Sequence, residues 1–417
     1  TALHNVTMTN DTTFGGSRQW NTDPIQNVGY FVITENLGTS GTNFNLTKTG
    51  GNELSLINTT MDPALGNINV LQGMLNFHGS TTSMGDPGSN ITVSAGATVS
   101  FYDTTTLWDK KFILNGDGVT PSIWNYNGSH TIVGPITLNG SCVFSGAPAG
   151  RGAPVSLTLN GPVSGSGSLI KAASDTNALI LVATNTYSGT TTVNGGTVLV
   201  EGISGTNSIS VAGGMLGGIG FIRGAVTTSG SGNLSPGDAN TVFATLIVSN
   251  RLTLGGTCTI DADKTGSTFT SDVITNITTL TLGGTLALNL TGDTLVGGDS
   301  FKLFSFASAS GAFSAITPDT PAPGLQWDTS HLATDGTLRA SAVNAAPTNI
   351  TVVVSGNTLT LSWPADHTGW RLQSQTNSLG IGLTGSWSDV AGSTLVNSVN
   401  ITLNPAYGTV FYRMVYP

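Results

Sequence analysis

The chain has 417 residues, a net charge of −9, 56 glycines and only 8% charged residues, with a slightly positive mean hydropathy. That charge content is about a third of the usual globular share, and the 13 Lys and Arg are scattered singly, so no basic stripe exists to neutralise phosphates. No apolar run approaches the 18 or so residues of a membrane-spanning helix, and Val, Ile, Leu and Phe recur too regularly for a disordered chain.

The first stretch, residues 1–20, opens directly on strand material. Leu3, Val6 and Met8 precede a Gly15–Gly16 corner and then Trp20, without a polar capping segment. A first coil of this kind presents a row of strand N–H and C=O groups that wants a partner. Because Thr1 is not a start methionine, the expectation is an exported bacterial chain from which a signal peptide has been removed.

From 50 to 140 a period is plain. Gly51, Gly73, Gly96, Gly118 and Gly140 follow one another at steps of 22, 23, 22 and 22 residues. After each corner comes an alternating strand: Leu54 and Leu56, Leu75 and Phe77, and Val99 and Phe101 read as inward positions. A coil of about 22 residues holds three short strands and three turns, the size of a parallel β-helix coil. Asp86–Pro87 and Trp108–Lys111 read as small protrusions, and the Pro-containing GAPAGRGAPV at 146–155 as a larger loop.

The central stretch, NTYSGTTTVNGGTVLVEG at 185–202, is the clearest strand, Gly turn and strand. Thr190 to Val193 and Thr197 to Val200 are the strands, and Gly195–Gly196 is the corner between them. Residues 155–316 resemble the autotransporter-associated β-strand repeat, also called the passenger-associated transport repeat. The likeness rests on Gly-Ser-Leu with Lys171, on Asn185 with Tyr187-Ser188-Gly189, on the Gly-Gly-Thr strand, and on GNLSPGD and GGTLALNL further on. The resemblance implies a right-handed parallel β-helix on a secreted surface protein. Too little sequence follows the repeat here for a membrane barrel of aromatic-girdled strands, so the expectation is a repeat without the autotransport machinery.

Residues 347–417 change character. Trp363, Trp370, Trp387, Tyr407, Phe411, Tyr412 and Tyr416 crowd this segment, and LTLSWP, WRLQSQTN and FYRMVYP alternate like half-buried strands. The segment resembles a fibronectin- or immunoglobulin-like module. The predicted organisation is therefore all-β, with a parallel β-helix over 1–343 and a small antiparallel β-sandwich over 347–417.

No constellation for catalysis is visible. Sugar acid/base chemistry needs two polar groups within reach on one face, and the densest candidates are Asp261, Asp263 and Asp272 with Lys264, then Asp103, Asp109 and Asp117 with Lys110 and Lys111. Both sets read as solvated turn residues. His4, His78, His130, His331 and His367 lie far apart, and no metal-ligand spacing or calcium-binding nonapeptide occurs. Cys142 and Cys258 take the apolar phase of their strands and lie some five coils, or about 25 Å, apart, so they read as buried thiols rather than a bridge. No cofactor and no metal are expected, and the chain reads as a non-enzyme. The favoured function is a secreted structural surface protein that assembles with itself head to tail into a fibre, sheath or layer. The alternative is a glycan-binding adhesin with the solenoid as stalk and Trp370 and Trp387 as stacking residues. A polysaccharide lyase or hydrolase is the third reading.

Overall fold

The computed structural model describes residues 2–16, 30–146, 155–173, 175–238, 241–404 and 406–416. Trp20 and most of the loop expected at 146–155 lie outside them. The fold is a nearly all-β parallel solenoid of about 10 turns followed by small antiparallel sheets. The chain divides into two compact units, Thr1–Thr257 with Ile274–Leu280, and Cys258–Val273 with Thr281–Pro417.

In the first unit, strands stack in parallel, coil upon coil. Leu54 pairs Leu75, Leu75 pairs Val99 and Val99 pairs Ile123, all fully buried. The predicted inward positions thus form continuous ladders, in which each coil removes the apolar edge of the last from water. Phe77, Phe101 and Trp108 close this interior as an aromatic cluster, with ring centroids 5.0–6.1 Å apart. Trp108 and Lys110 are both fully buried, so the protrusion expected at Trp108–Lys111 is instead a piece of the interior.

Coil length is less uniform than the glycine steps imply. Leu75 pairs Val99, 24 residues on, but Thr191 pairs Ile209 and Ile209 pairs Val226, so the coils contract to 18 and 17 residues. The ladders tolerate this because only the paired strands must register, while the turns absorb the difference. Thr191–Val193 and Thr197–Val200 lie where the sequence placed them, with Gly196 at φ 58° between them. Stacking also leaves no room at some glycines. A Cβ on Gly116 would lie 2.0 Å from the Ser141 carbonyl oxygen of the next coil.

In the second unit, Thr285–Gly292 and Ala315–Thr317 still pair in parallel. Ser300–Lys302, Thr337–Ala342 and Leu325–Asp328, inside the span expected to be solenoid, instead make an antiparallel sheet. The end of the chain is a sandwich. One sheet orders Thr351–Ser355, Thr358–Ser362 and Ser398–Thr402; the other orders Ser388–Asp389, Arg371–Asn377 and Thr409–Val415. Leu359, Leu361, Trp363 and Leu372 form its core, with Val399, Ile401, Tyr412 and Met414 packed around them.

Candidate functional site

Of the ionisable groups that sequence reading placed in turns, Lys110, Lys264 and Asp272 are buried, while Asp103, Asp109, Asp117 and Lys111 are exposed. Lys110 donates from Nζ to the carbonyls of Gly66 and Asp86 at 2.7 Å each and of Leu65 at 3.3 Å. Lys48 does the same for Thr49, Gly50 and Gln72 at 2.8, 2.7 and 3.0 Å. Each ammonium has three protons and meets three carbonyls, so a buried charge is matched without a carboxylate. Burial pulls both groups down to about 8, against the pull of Glu53 on Lys48 and of Asp86 and Asp109 on Lys110. At neutral pH both remain charged.

Lys171 is held by Asp175, and both side chains are buried. Burial lowers the Lys171 ammonium and the charge and hydrogen bond of Asp175 oppose that. Asn185 accepts from the Val163 N–H and donates to the Ala183 carbonyl, and the Tyr187 hydroxyl bonds Thr191 Oγ1 at 2.6 Å. In the repeat-like stretch, then, Asn185 binds its turn to a neighbouring coil, while the bonds of Lys171 to Asp175 and of Tyr187 to Thr191 are local.

Asp103, Asp109, Asp117, Lys110 and Lys111 do not converge. Asp117 holds its own turn, accepting from the Val119 and Thr120 N–H groups at 2.8 and 2.7 Å, and Asp103 accepts from Asn127 at 2.8 Å. Lys111 is exposed while Lys110 points inward. In the second unit, Asp261 and Asp263 both lie in the strand Thr257–Thr265, which corrects the turn expected at Asp263. Their side chains take the outer phase and Lys264 the inner one, where it pairs with Asp299 at 2.8 Å. Asp263 is held below the usual carboxylate range by Thr291 and Thr265 hydroxyls. Asp272 is buried rather than solvated, accepting from the Asp261 N–H at 2.9 Å.

The histidines divide likewise. His130 is buried and its Nε2 accepts from the Thr104 N–H at 3.1 Å, which leaves Nδ1 to donate to Asn125. Burial drives its pKa down to about 4, against Asp103, so the ring is neutral. Among the described residues no group of three or more His, Cys, Asp or Glu is placed to hold a metal ion. Cys142 and Cys258 are buried free thiols, as their strand phase indicated.

The two tryptophans of the last module part company. Trp370 is buried, its indole N–H donating to the Asn344 carbonyl at 2.7 Å and its ring meeting Tyr416 edge-on. With His367, which bonds the Ala346 carbonyl, it fastens the segment leading into the sandwich, so it presents no stacking platform. Trp387 is half-buried under the Arg413 guanidinium, 4.3 Å from the ring centroid. Arg413 is held there by the Gln373 side-chain oxygen Oε1, which accepts from Nη2 and Nε at 2.8 and 2.9 Å.

A surface that sequence reading missed lies on the solenoid. His78, Tyr102, Tyr126 and Trp124 form a half-buried row across consecutive coils, with centroids 4.4, 5.1 and 5.9 Å apart in turn. The Tyr102 and Tyr126 planes are tilted 30° from one another. Only the register His78 with Tyr102 reveals the row; the residues lie 24 apart in sequence.

The outermost strand of the first unit is a further surface. Ala2–Thr7 pairs in parallel with Tyr30–Gly38 and, among the described residues, with no other strand, and its side chains are mostly exposed. Among the described residues no helix is long and apolar enough to cross a membrane. No family model matches the chain, and comparison with curated proteins finds no match.

Proposed function

We propose that the protein is a structural surface protein of the bacterial cell exterior, a β-solenoid scaffold that associates with copies of itself. The observation that carries this reading is the use made of the ionisable groups. Lys48, Lys110 and His130 bond backbone groups of neighbouring coils, and Lys171 is spent on the buried Asp175, as a scaffold requires. The likeness of residues 155–316 to the autotransporter-associated repeat supports export to the surface. The one-sided pairing of Ala2–Thr7 supplies an edge that accepts a parallel strand, from a preceding coil or from another copy. Light scattering of the purified protein at micromolar concentration, with and without residues 2–14, tests the second source. Large assemblies lost on truncation support it, and an unchanged monomer in both samples rejects it.

A glycan-binding adhesin is the second reading, favoured by the aromatic row His78–Tyr102–Tyr126–Trp124 and by Trp387. A glycan array with Trp124→Ala and Trp387→Ala tests it, since binding untouched by both substitutions excludes these surfaces.

A further inference from the structure

The edge strand of the terminal sandwich breaks the rules by which sheet edges stay solitary. Thr351–Ser355 reads TVVVS, lies at the edge of its sheet, and is exposed along its whole length. Val352, Val353 and Val354 are 58%, 54% and 59% exposed. Val352 and Val354 pair with the buried Leu361 and Leu359, so they face the core side of the sheet yet stay more than half exposed. Natural edges are blunted by lysine, proline or a bulge. Here no charged residue occurs between Arg339 and Asp366, and the other two strands of the sheet, TLTLS and SVNIT, carry none either.

The strand is also its own complement. Laid antiparallel on a second copy about a two-fold axis through Val353, Thr351 meets Ser355, Val352 meets Val354, and Val353 meets Val353. Every methyl faces methyl and every hydroxyl faces hydroxyl. The backbone agrees with this register. Ser355 pairs Thr358 across the two-residue turn Gly356–Asn357, so the strand's inward hydrogen bonds fall at 351, 353 and 355. The free N–H and C=O groups then belong to Val352 and Val354, which the two-fold pairing sets opposite each other. We infer that the partner of this edge is the same edge of a second copy, joining two three-stranded sheets into one six-stranded sheet with four valines clustered on its core side. The contact is isologous and closes as a dimer, unlike the open contact of the Ala2–Thr7 edge. It rests on its own observation and stands or falls apart from end-to-end assembly.

The test uses sedimentation velocity and disulfide trapping on the full chain, whose two native thiols are buried. Val353→Cys sets two thiols on the axis, with Cα atoms about 4.5 Å apart across a non-hydrogen-bonded pair. Val352→Cys sets its two at about 8 Å, beyond bridging distance. The expected results are a concentration-dependent dimer, ready oxidation of the Val353→Cys chain to a covalent dimer, and about tenfold less from Val352→Cys. Val353→Lys, on the face opposite the core, should weaken the dimer at least about tenfold by opposing like charges. A monomer at all concentrations, equal trapping at 352 and 353, or association indifferent to Val353→Lys would each overturn the inference. Larger assemblies indifferent to Val353→Lys but lost without residues 2–14 would do so while supporting the functional reading.

Discussion

The ammonium of Lys110 donates to the carbonyl oxygen of Gly66 at 2.7 Å, across 44 residues of sequence. Its other two bonds go to Leu65 and Asp86, so one side chain ties backbone from separate coils. A charge inside a solenoid is thereby converted from a burial cost into a clamp on turns, where the Leu65 and Asp86 carbonyls also accept the Asp86 and Ser89 N–H groups.

Replacing Lys110 by Met should remove its three bonds to the Leu65, Gly66 and Asp86 carbonyls and cost about 3 kcal/mol. The neighbouring Lys111→Met, at an exposed position, should change stability by less than about 0.5 kcal/mol. Urea unfolding followed by circular dichroism compares the two. Equal effects would mean that Lys110 does not clamp the coils.

His130 supplies a pH dependence with a definite sign. Its folded pKa, about 4, lies below the ordinary value of 6.5, so the unfolded chain binds more protons between these limits. The His130 contribution is complete above pH 6.5 and is lost as pH falls through about 4, a loss of roughly 2–3 kcal/mol. Denaturation midpoints measured from pH 7 to 4 should fall accordingly, and the fall should shrink in His130→Gln. Imidazole resonances of His130 that titrate near 6.5 would refute the buried neutral ring.

The two tryptophans of the sandwich should behave differently. Trp370→Ala removes a buried ring and its bond to Asn344, which should cost about 3–5 kcal/mol and unfold the module early. Trp387→Ala, half-buried under Arg413, should cost about 1 kcal/mol. Limited proteolysis of the C-terminal module reads the contrast, and similar susceptibility of both variants would contradict the assignment of Trp370 to the interior.

The solenoid was legible because its physics repeats. Leu54, Leu75 and Val99 sit at matching points after their corners, and each occupies one inward ladder. The sandwich was legible from its crowded aromatics. What escaped the sequence depends on which residues the stacking brings together. Lys110 stands between Asp109 and Lys111 and so reads as part of a solvated charge cluster, although strand phase turns it inward. Tyr102 and Tyr126 stand a coil apart and meet only once the register is known. Val352 to Val354 are more than half exposed, although a run of three valines in a strand usually lies in a core, and the pattern alone does not show this. The contracted coils after Thr191 were hidden because glycine marks several corners per coil.

Electron microscopy of the purified chain at micromolar concentration tests the central claim of a self-associating scaffold most directly. The account predicts assemblies with a regular repeat, in which Ala2–Thr7 of one copy lies against a strand of the next. Single, unassociated particles at every concentration, with that edge bare, would contradict it.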